Sequence, residues 1–136
     1  MKTTFPKNNS NIPKWYIIDA SQKTLGRLSV DVCNILKGKT TSYYYPSVDQ
    51  GNYVLIINAD KIQVTGKKNF QKKYYIPTQK PGHLKSIIFK DLKTKYSSRI
   101  LEQSILGMLP KGVLGKKYFR KVFIYNKNQI LYKNIK

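Results

Sequence analysis

The chain has 136 residues, which suits one domain of ordinary size, and 40% of them are hydrophobic, which suffices for a modest core. Its 26 Lys and Arg outnumber its 6 Asp and Glu, leaving a formal net charge of +20 and a pI near 10.1. This excess is more than solubility requires and indicates a polyanionic partner. The single cysteine, Cys33, excludes an intrachain disulfide and a thiolate metal cluster.

The charge is concentrated in the second half of the chain. Residues 1–60 hold seven basic and four acidic side chains, whereas residues 61–136 hold nineteen and two. Membrane-surface binding by a helix needs a basic amphipathic segment, but these lysines cluster in stretches broken by Gly and Pro. Neither a secretory signal nor a run of about 20 apolar residues is present. Nucleic acid is therefore the favoured polyanion.

The first half of the sequence predicts a strand, a helix and a second strand. Residues 14–19 form a short aromatic and β-branched run, and residues 25–36 repeat apolar side chains at helical spacing between an N-cap at Thr24 and a stop at Gly38. Residues 53–58 form a continuous apolar run that is typical of a central strand covered on both faces. This order predicts a parallel strand pair, and hence an α/β domain.

The second half predicts shorter elements around basic segments. We expect a short strand at 62–64, a basic helical turn within 67–73, and an ordered loop or extended arm at 76–85, where Pro77, Pro81 and Gly82 interrupt regular structure. A helix is expected from an N-cap at Ser98 to Pro110. Residues 111–121 interleave cations with aromatics, and residues 122–125 predict a last strand.

Groups for catalysis are scarce. His83 is the only histidine, and Cys33 lies near the apolar stripe of its helix, where an inert core thiol is the commoner state. Asp19 and Asp60 both follow strands and could meet at one sheet edge, but turn formation explains each of them better. Residues 107–112 lack the Lys and Ser/Thr of a phosphate-binding loop. We therefore expect no enzyme activity, no cofactor, no metal and no small-molecule substrate.

The basic residues form the candidate site. Lysine ammonium groups on flexible stems suit contact with an irregular phosphate backbone, which positions a protein without specifying a base sequence. Tyr118 and Phe119 could stack on bases, although core packing is the commoner role of such aromatics. The residues predicted to bind RNA are Arg27, Lys37, Lys39, Lys67, Lys68, Lys72, Lys73, Lys111, Lys116, Lys117, Arg120 and Lys121.

Several segments together resemble bacterial-type ribosomal protein thirteen of the large subunit. They follow one another in the family's order over roughly residues 14–125, and the segment at 107–112 is the most diagnostic. The similar segments are 14–20 (KWYIIDA), 23–28 (KTLGRL), 49–54 (DQGNYV), 58–62 (NADKI), 64–68 (VTGKK), 107–112 (GMLPKG), 114–115 (LG) and 119–121 (FRK).

This resemblance implies a three-layer α/β/α domain around a mainly parallel four-stranded sheet. It also implies direct binding to large-subunit ribosomal RNA, neighbouring large-subunit proteins as partners, a part in early subunit assembly, and no catalysis. The domain would span residues 14–125, between a polar N-terminal extension at 1–13 and a short basic tail at 126–136. The sequence departs from the family at 76–79 and 82–83 and lacks its usual His- and Pro-containing C-terminal extension.

Composition also bears on the compartment. Only three of the 26 basic residues are arginine, and Asn, Ile and Tyr are abundant, which indicates an AT-rich coding genome. With a start that aligns with the family's own and no expected presequence, this bias favours a plastid (chloroplast) ribosome, then an AT-rich bacterium, then a mitochondrion. Two other functions compete with the ribosomal one: a free regulatory RNA-binding protein acting off the ribosome, and a phosphate-handling enzyme.

Overall fold

The computed structural model describes residues 12–127, which form a parallel sheet, an antiparallel hairpin and four α-helices. The α/β class expected from the sequence is confirmed. The extension at 1–13 and the tail at 126–136, expected from the resemblance, lie almost wholly outside the described residues.

The parallel sheet has the order β1-β2-β5, with β1 at Trp15–Asp19, β2 at Tyr53–Ile57 and β5 at Val122–Ile124. The central place of β2 and the parallel pairing of β1 with β2 are as expected, and Val54 and Ile56 are fully buried. The sheet has three strands in the described chain, where four were expected.

The missing fourth strand is the one predicted at residues 62–64, and this prediction was wrong. Asn58 turns the backbone into the left-handed region (φ 56°) immediately after β2, and Ala59–Lys61 form a 3-10 turn. The chain has by then left the sheet, so only one isolated bridge, between Thr24 and Gln63, remains of the expected strand.

Helix α1, Leu25–Lys37, matches its prediction. The apolar residues at helical spacing are buried, and Thr24 occupies the N-cap position, although its side chain makes no capping hydrogen bond. Gly38 ends the helix with a left-handed conformation (φ 72°), and its N–H donates to the carbonyls of Asn34 and Ile35.

The loop predicted at 76–85 is instead the end of a β-hairpin. Strands β3, Lys73–Pro77, and β4, Leu84–Ile88, pair antiparallel, and the interrupting residues Pro81 and Gly82 lie in the turn between them. Pro77, which was also expected to interrupt regular structure, is the last residue of β3. The strands were missed because neither alternates apolar and polar residues.

Helix α3, Phe89–Met108, begins nine residues before the predicted start at Ser98. Its backbone is non-helical at Tyr96 (φ −145°, ψ 71°), so the second segment begins close to the expected N-cap. The expected apolar stripe is buried at Leu101 and Ile105, whereas Met108 is partly exposed.

Two short helices carry much of the basic sequence. Helix α2, Lys68–Gln71, is the basic turn expected within 67–73. Helix α4, Val113–Phe119, was not predicted, and it lies in the segment where cations alternate with aromatics. It buries Gly115 and Tyr118, so its lysines face away from the core.

One core cluster joins these elements. Helix α1 contributes Leu28 and Val32, the sheet contributes Val54 and Ile56, and α3 and α4 complete the cluster with residues that include Phe89, Ile100, Leu101, Ile105 and Tyr118. The helices thus cover the sheet face on which Val54 and Ile56 lie. On the other face, the ring of Trp15 stacks on Tyr53 at 4.6 Å and lies 5.5 Å from Phe123.

Replacing Gly115 by alanine should destabilise the protein by more than about 2 kcal/mol. A Cβ there would stand 1.7 Å from the carbonyl oxygen of Pro110, so α4 would have to move. Gly107→Ala in α3 is the matched control, because the space around Gly107 is open and alanine favours a helix by about 0.5–1 kcal/mol. Urea unfolding followed by circular dichroism measures both; equal effects would contradict this packing.

Candidate nucleic-acid interface

The positive charge is almost uncompensated inside the protein. Among the described residues, Lys121 with Asp49 forms the only ion pair between a basic side chain and a carboxylate. Of the twelve residues predicted to bind RNA, ten are exposed and two, Lys37 and Lys121, are half-buried. Exposed cations without carboxylate partners leave a field that attracts phosphate.

The first basic surface surrounds a groove between α1 and α2. Arg27, Lys68 and Lys72 line this groove, which has a volume of about 880 Å³. Lys67 directly precedes α2, and Lys73 directly follows Lys72. Both are exposed. We call these five residues the α2 surface.

The structure shows why these cations point outward. Helix α2 buries no residue, so its side chains face solvent, and Gly66 (φ 63°) turns the chain into it. The Lys72 carbonyl accepts a hydrogen bond from the Phe89 N–H at 2.8 Å, which ties the segment to the start of α3. The Lys72 ammonium lies 5.2 Å from the ring centroid of Tyr74.

The second basic surface is on and around α4. Lys116 and Arg120 are four residues apart and so lie along one side of the helix, while Lys117 is turned toward a cavity of about 440 Å³ that Lys14 also lines. Lys111 is exposed in the segment just before the helix. We call Lys111, Lys116, Lys117 and Arg120 the α4 surface.

Lys121 has an internal role. Its ammonium lies 2.7 Å from Asp49 Oδ1, donates to the Gly51 carbonyl at 3.0 Å, and lies 5.8 Å from the ring centroid of Tyr53. These contacts fasten the segment before β2 to the segment before β5. The same ammonium is thereby occupied, so we leave Lys121 out of the interface.

Lys37 is likewise engaged within the fold, whereas Lys39 is exposed. The Lys37 ammonium donates to the carbonyl of Met108 at 3.0 Å, at the C-terminal end of α3. A cation is favourable there, because the last carbonyls of a helix lack intrahelical partners. We leave Lys37 out of the interface and keep Lys39.

The two aromatics considered for base stacking belong to the body of the domain. Tyr118 is buried, and burial raises the pKa of its phenol to about 12, with Asp49 and Tyr44 adding to the rise. Phe119 is half-buried and packs against the core. Tyr75 and Tyr96, which the sequence analysis did not single out, are strongly exposed and line one groove with Lys73, Lys95 and Arg99.

The side chains considered for catalysis are not brought together. Cys33 is buried, its thiol lies 3.8 Å from the Ile105 carbonyl, and burial raises the pKa of the thiol. His83 is exposed in the hairpin turn beside Thr78. A thiol–imidazole pair is therefore not formed.

Asp19 organises a turn, as the sequence favoured. Its Oδ1 accepts hydrogen bonds from the Ser21 N–H, the Ser21 hydroxyl and the Asn58 amide, at 2.8–3.0 Å. These bonds, the Ser21 N–H first, lower the pKa of the carboxyl to about 2. Asp60 is exposed in the adjoining 3-10 turn.

Within residues 12–127, no group of three or more His, Cys, Asp or Glu side chains is placed to hold a metal ion. No helix of the described chain has the length and apolar character needed to cross a membrane.

The comparisons with known proteins agree with one another. The family model described as Ribosomal protein L13 matches residues 13–130. The protein named "Large ribosomal subunit protein uL13" from Staphylococcus haemolyticus is 52% identical over 126 residues, which cover 92% of this chain and 87% of the relative. The protein of the same name from Staphylococcus carnosus is also 52% identical, and that from Staphylococcus aureus (strain Newman) is 49% identical, with the same coverage.

Removing the cation of the internal pair should cost stability, whereas removing an exposed cation should not. Lys121→Met leaves the partly buried Asp49 carboxylate without its partner and should lower the free energy of unfolding by about 1–3 kcal/mol. Lys117→Met, at an exposed position, is the matched control and should change it by less than about 0.5 kcal/mol. If urea unfolding finds both variants as stable as the parent protein, the Lys121 ammonium is free to contact RNA.

Proposed function

The chain belongs to the ribosomal protein L13 family, and from that premise we propose that it is a constituent of the large ribosomal subunit that binds large-subunit ribosomal RNA directly and helps early subunit assembly. The family is a structural component of the ribosome and not an enzyme. The observation that carries the RNA-binding part is that the α2 surface, the α4 surface and Lys39 hold ten exposed cations, none of which has a carboxylate partner among the described residues.

Binding is electrostatic in this proposal. Each ammonium or guanidinium that approaches a phosphate releases condensed counterions, and this release supplies most of the affinity. Lysine suits the task because its flexible stem reaches phosphates whose spacing varies along a folded RNA. The residues proposed to bind these phosphates are the α2 surface, the α4 surface and Lys39.

The part in assembly follows from having two separate basic surfaces. The α2 surface and the α4 surface belong to different elements of one domain, so each can contact a different RNA segment. Two RNA segments repel one another through their phosphates, and a body of net charge +20 between them offsets this repulsion. Neighbouring large-subunit proteins are the other partners that we propose.

The compartment is also a proposal. The relatives named above are all bacterial, so we propose a bacterial-type ribosome in the cytoplasm of a bacterium with an AT-rich genome. The plastid favoured by composition gains no support from these relatives.

Affinity for large-subunit ribosomal RNA should fall steeply with salt. Log K should decrease linearly with log salt, and Lys116→Gln with Lys117→Gln should make the slope shallower by about 1.4–1.8, since each phosphate that is no longer neutralised removes about 0.7–0.9. Lys61→Gln is the control, because Lys61 is exposed beyond the carboxyl end of β2 and belongs to neither basic surface, so the slope should stay unchanged. Filter binding over a salt series measures this; salt-independent affinity would refute the proposal.

Sucrose-gradient sedimentation of a cell lysate separates this proposal from a free regulatory RNA-binding protein. A subunit constituent should sediment almost wholly with large subunits and their assembly intermediates. A large pool at the top of the gradient, at normal expression, would favour the regulatory function instead.

A further inference from the structure

A further groove begins beside the α2 surface, at Lys73, and extends between the hairpin and helix α3. The hairpin β3–β4 and helix α3 enclose a groove of about 830 Å³, within the range of about 300–1,000 Å³ that is typical of ligand sites. Its lining combines aromatic and apolar side chains, such as Tyr74, Tyr75, Ile76 and Tyr96, with the cations Lys73, Lys95 and Arg99. Asp91 is the only carboxylate among the lining residues described.

The position of Tyr96 in this groove depends on the break in α3. In an uninterrupted helix Tyr96 would lie one turn from both Leu92 and Ile100, which are buried, and would therefore face the core. The non-helical backbone at Tyr96 instead exposes 53% of this residue and buries Ser97. An aromatic residue that would face the core in a continuous helix is thus exposed to solvent.

Contacts of the residues that follow the break hold it in place. Ser97 and Ser98 follow it, and serine pairs are frequent at helix kinks. The buried Ser97 hydroxyl donates to Asn126 Oδ1 at 2.9 Å, which anchors the second segment beside the end of β5. Ile100 and Leu101 then return the helix to the core.

Around Tyr96 the side chains form a platform suited to a flat ring. The Arg99 guanidinium lies over the Tyr96 ring, 4.7 Å from its centroid, so the outer face of the guanidinium continues the stack toward solvent. Tyr75, 62% exposed, lines the same groove from the hairpin side. Nucleobases stack on tyrosine rings and on arginine planes, and they do so most readily when unpaired.

We propose that this groove binds an unpaired nucleotide of the ribosomal RNA, with its base stacked on the pair that Arg99 forms over the Tyr96 ring and its flanking phosphates near Lys73 and Lys95. The inference rests on the proposed RNA-binding function and adds to it a stacking site. RNA fits the groove better than a protein neighbour does, because three lining cations face one carboxylate and an apolar protein surface would bury those cations unpaired.

The first experiment compares affinities of the full chain for Staphylococcus haemolyticus large-subunit ribosomal RNA at one salt concentration. The double variant Tyr75→Leu and Tyr96→Leu should bind roughly 5- to 150-fold more weakly, because stacking is removed, with an unchanged salt slope because no charge is removed. Tyr75→Phe with Tyr96→Phe keeps the rings and should bind like the parent protein. Tyr43→Leu, at a tyrosine of similar exposure outside the groove, should also bind like the parent protein.

The outcomes separate the two proposals. If the parent protein binds with a steep salt dependence and the double leucine variant binds equally well, the stacking site is refuted and the RNA-binding function stands. If the parent protein binds without salt dependence, the RNA-binding function itself fails. Weaker binding by the phenylalanine variant would show that the hydroxyl groups, and not the rings, are needed, which also refutes stacking.

A second experiment does not depend on the folding of the leucine variants. Tyr96→p-benzoylphenylalanine keeps an aromatic group at the site and allows photocrosslinking in reconstituted large subunits. The crosslink should join this position to a nucleotide that is unpaired in the ribosomal RNA. A crosslink to a ribosomal protein, to a paired nucleotide, or to nothing would overturn the inference.

Discussion

Mutual repulsion of like charges is the constraint under which this chain folds. Its 26 basic side chains face six carboxylates, and compaction brings the cations closer together. Burial of apolar side chains offsets that cost, in one cluster built from α1, α3, α4 and the inner face of the sheet. The exposed cations lie on the outer sides of these helices or on segments such as α2, which buries no residue.

Where a cation does lie inside, it stabilises the fold through specific acceptors. Lys121 is held by Asp49 and the Gly51 carbonyl, and it fastens together the segments that lead into two neighbouring strands. Lys37 donates to the end of α3 and so connects α1 to that helix. Lysine thus has two roles in this protein. Lysines with a hydrogen-bond acceptor in the fold stabilise it, whereas lysines without one are available to bind phosphate.

The sequence predicted the elements whose pattern is strong. The buried run at 53–58 and the helix from Thr24 to Gly38 were found nearly to the residue, because continuous burial and helical spacing are unambiguous over such lengths. The hairpin was missed because its strands are largely exposed and carry no alternation. The predicted start of helix α3 was too late, since the N-cap signal at Ser98 marks only the second of its two segments, which follows the break at Tyr96.

The sequence predicted the positive charge of the candidate site better than it predicted the contacts and burial of the side chains. Sequence placed most of the cations in the second half of the chain, but it could not show that Lys121 and Lys37 donate hydrogen bonds within the fold, because their acceptors are distant in sequence. It considered Tyr118 and Phe119 for base stacking and did not single out Tyr75 and Tyr96. Whether an aromatic ring is buried depends on tertiary packing: α4 docks through Gly115 and buries Tyr118, whereas the break in α3 exposes Tyr96.

Lysine footprinting tests most directly the claim that the exposed cations, and not the internal ones, contact ribosomal RNA. The protein is treated with an amine-acylating reagent alone and in complex with large-subunit ribosomal RNA, and modification is read at each lysine by mass spectrometry. We predict that Lys68, Lys72, Lys116 and Lys117 react in the free protein and are protected in the complex, while Lys121 reacts slowly in both. Equal reactivity of these four lysines with and without RNA would contradict the account.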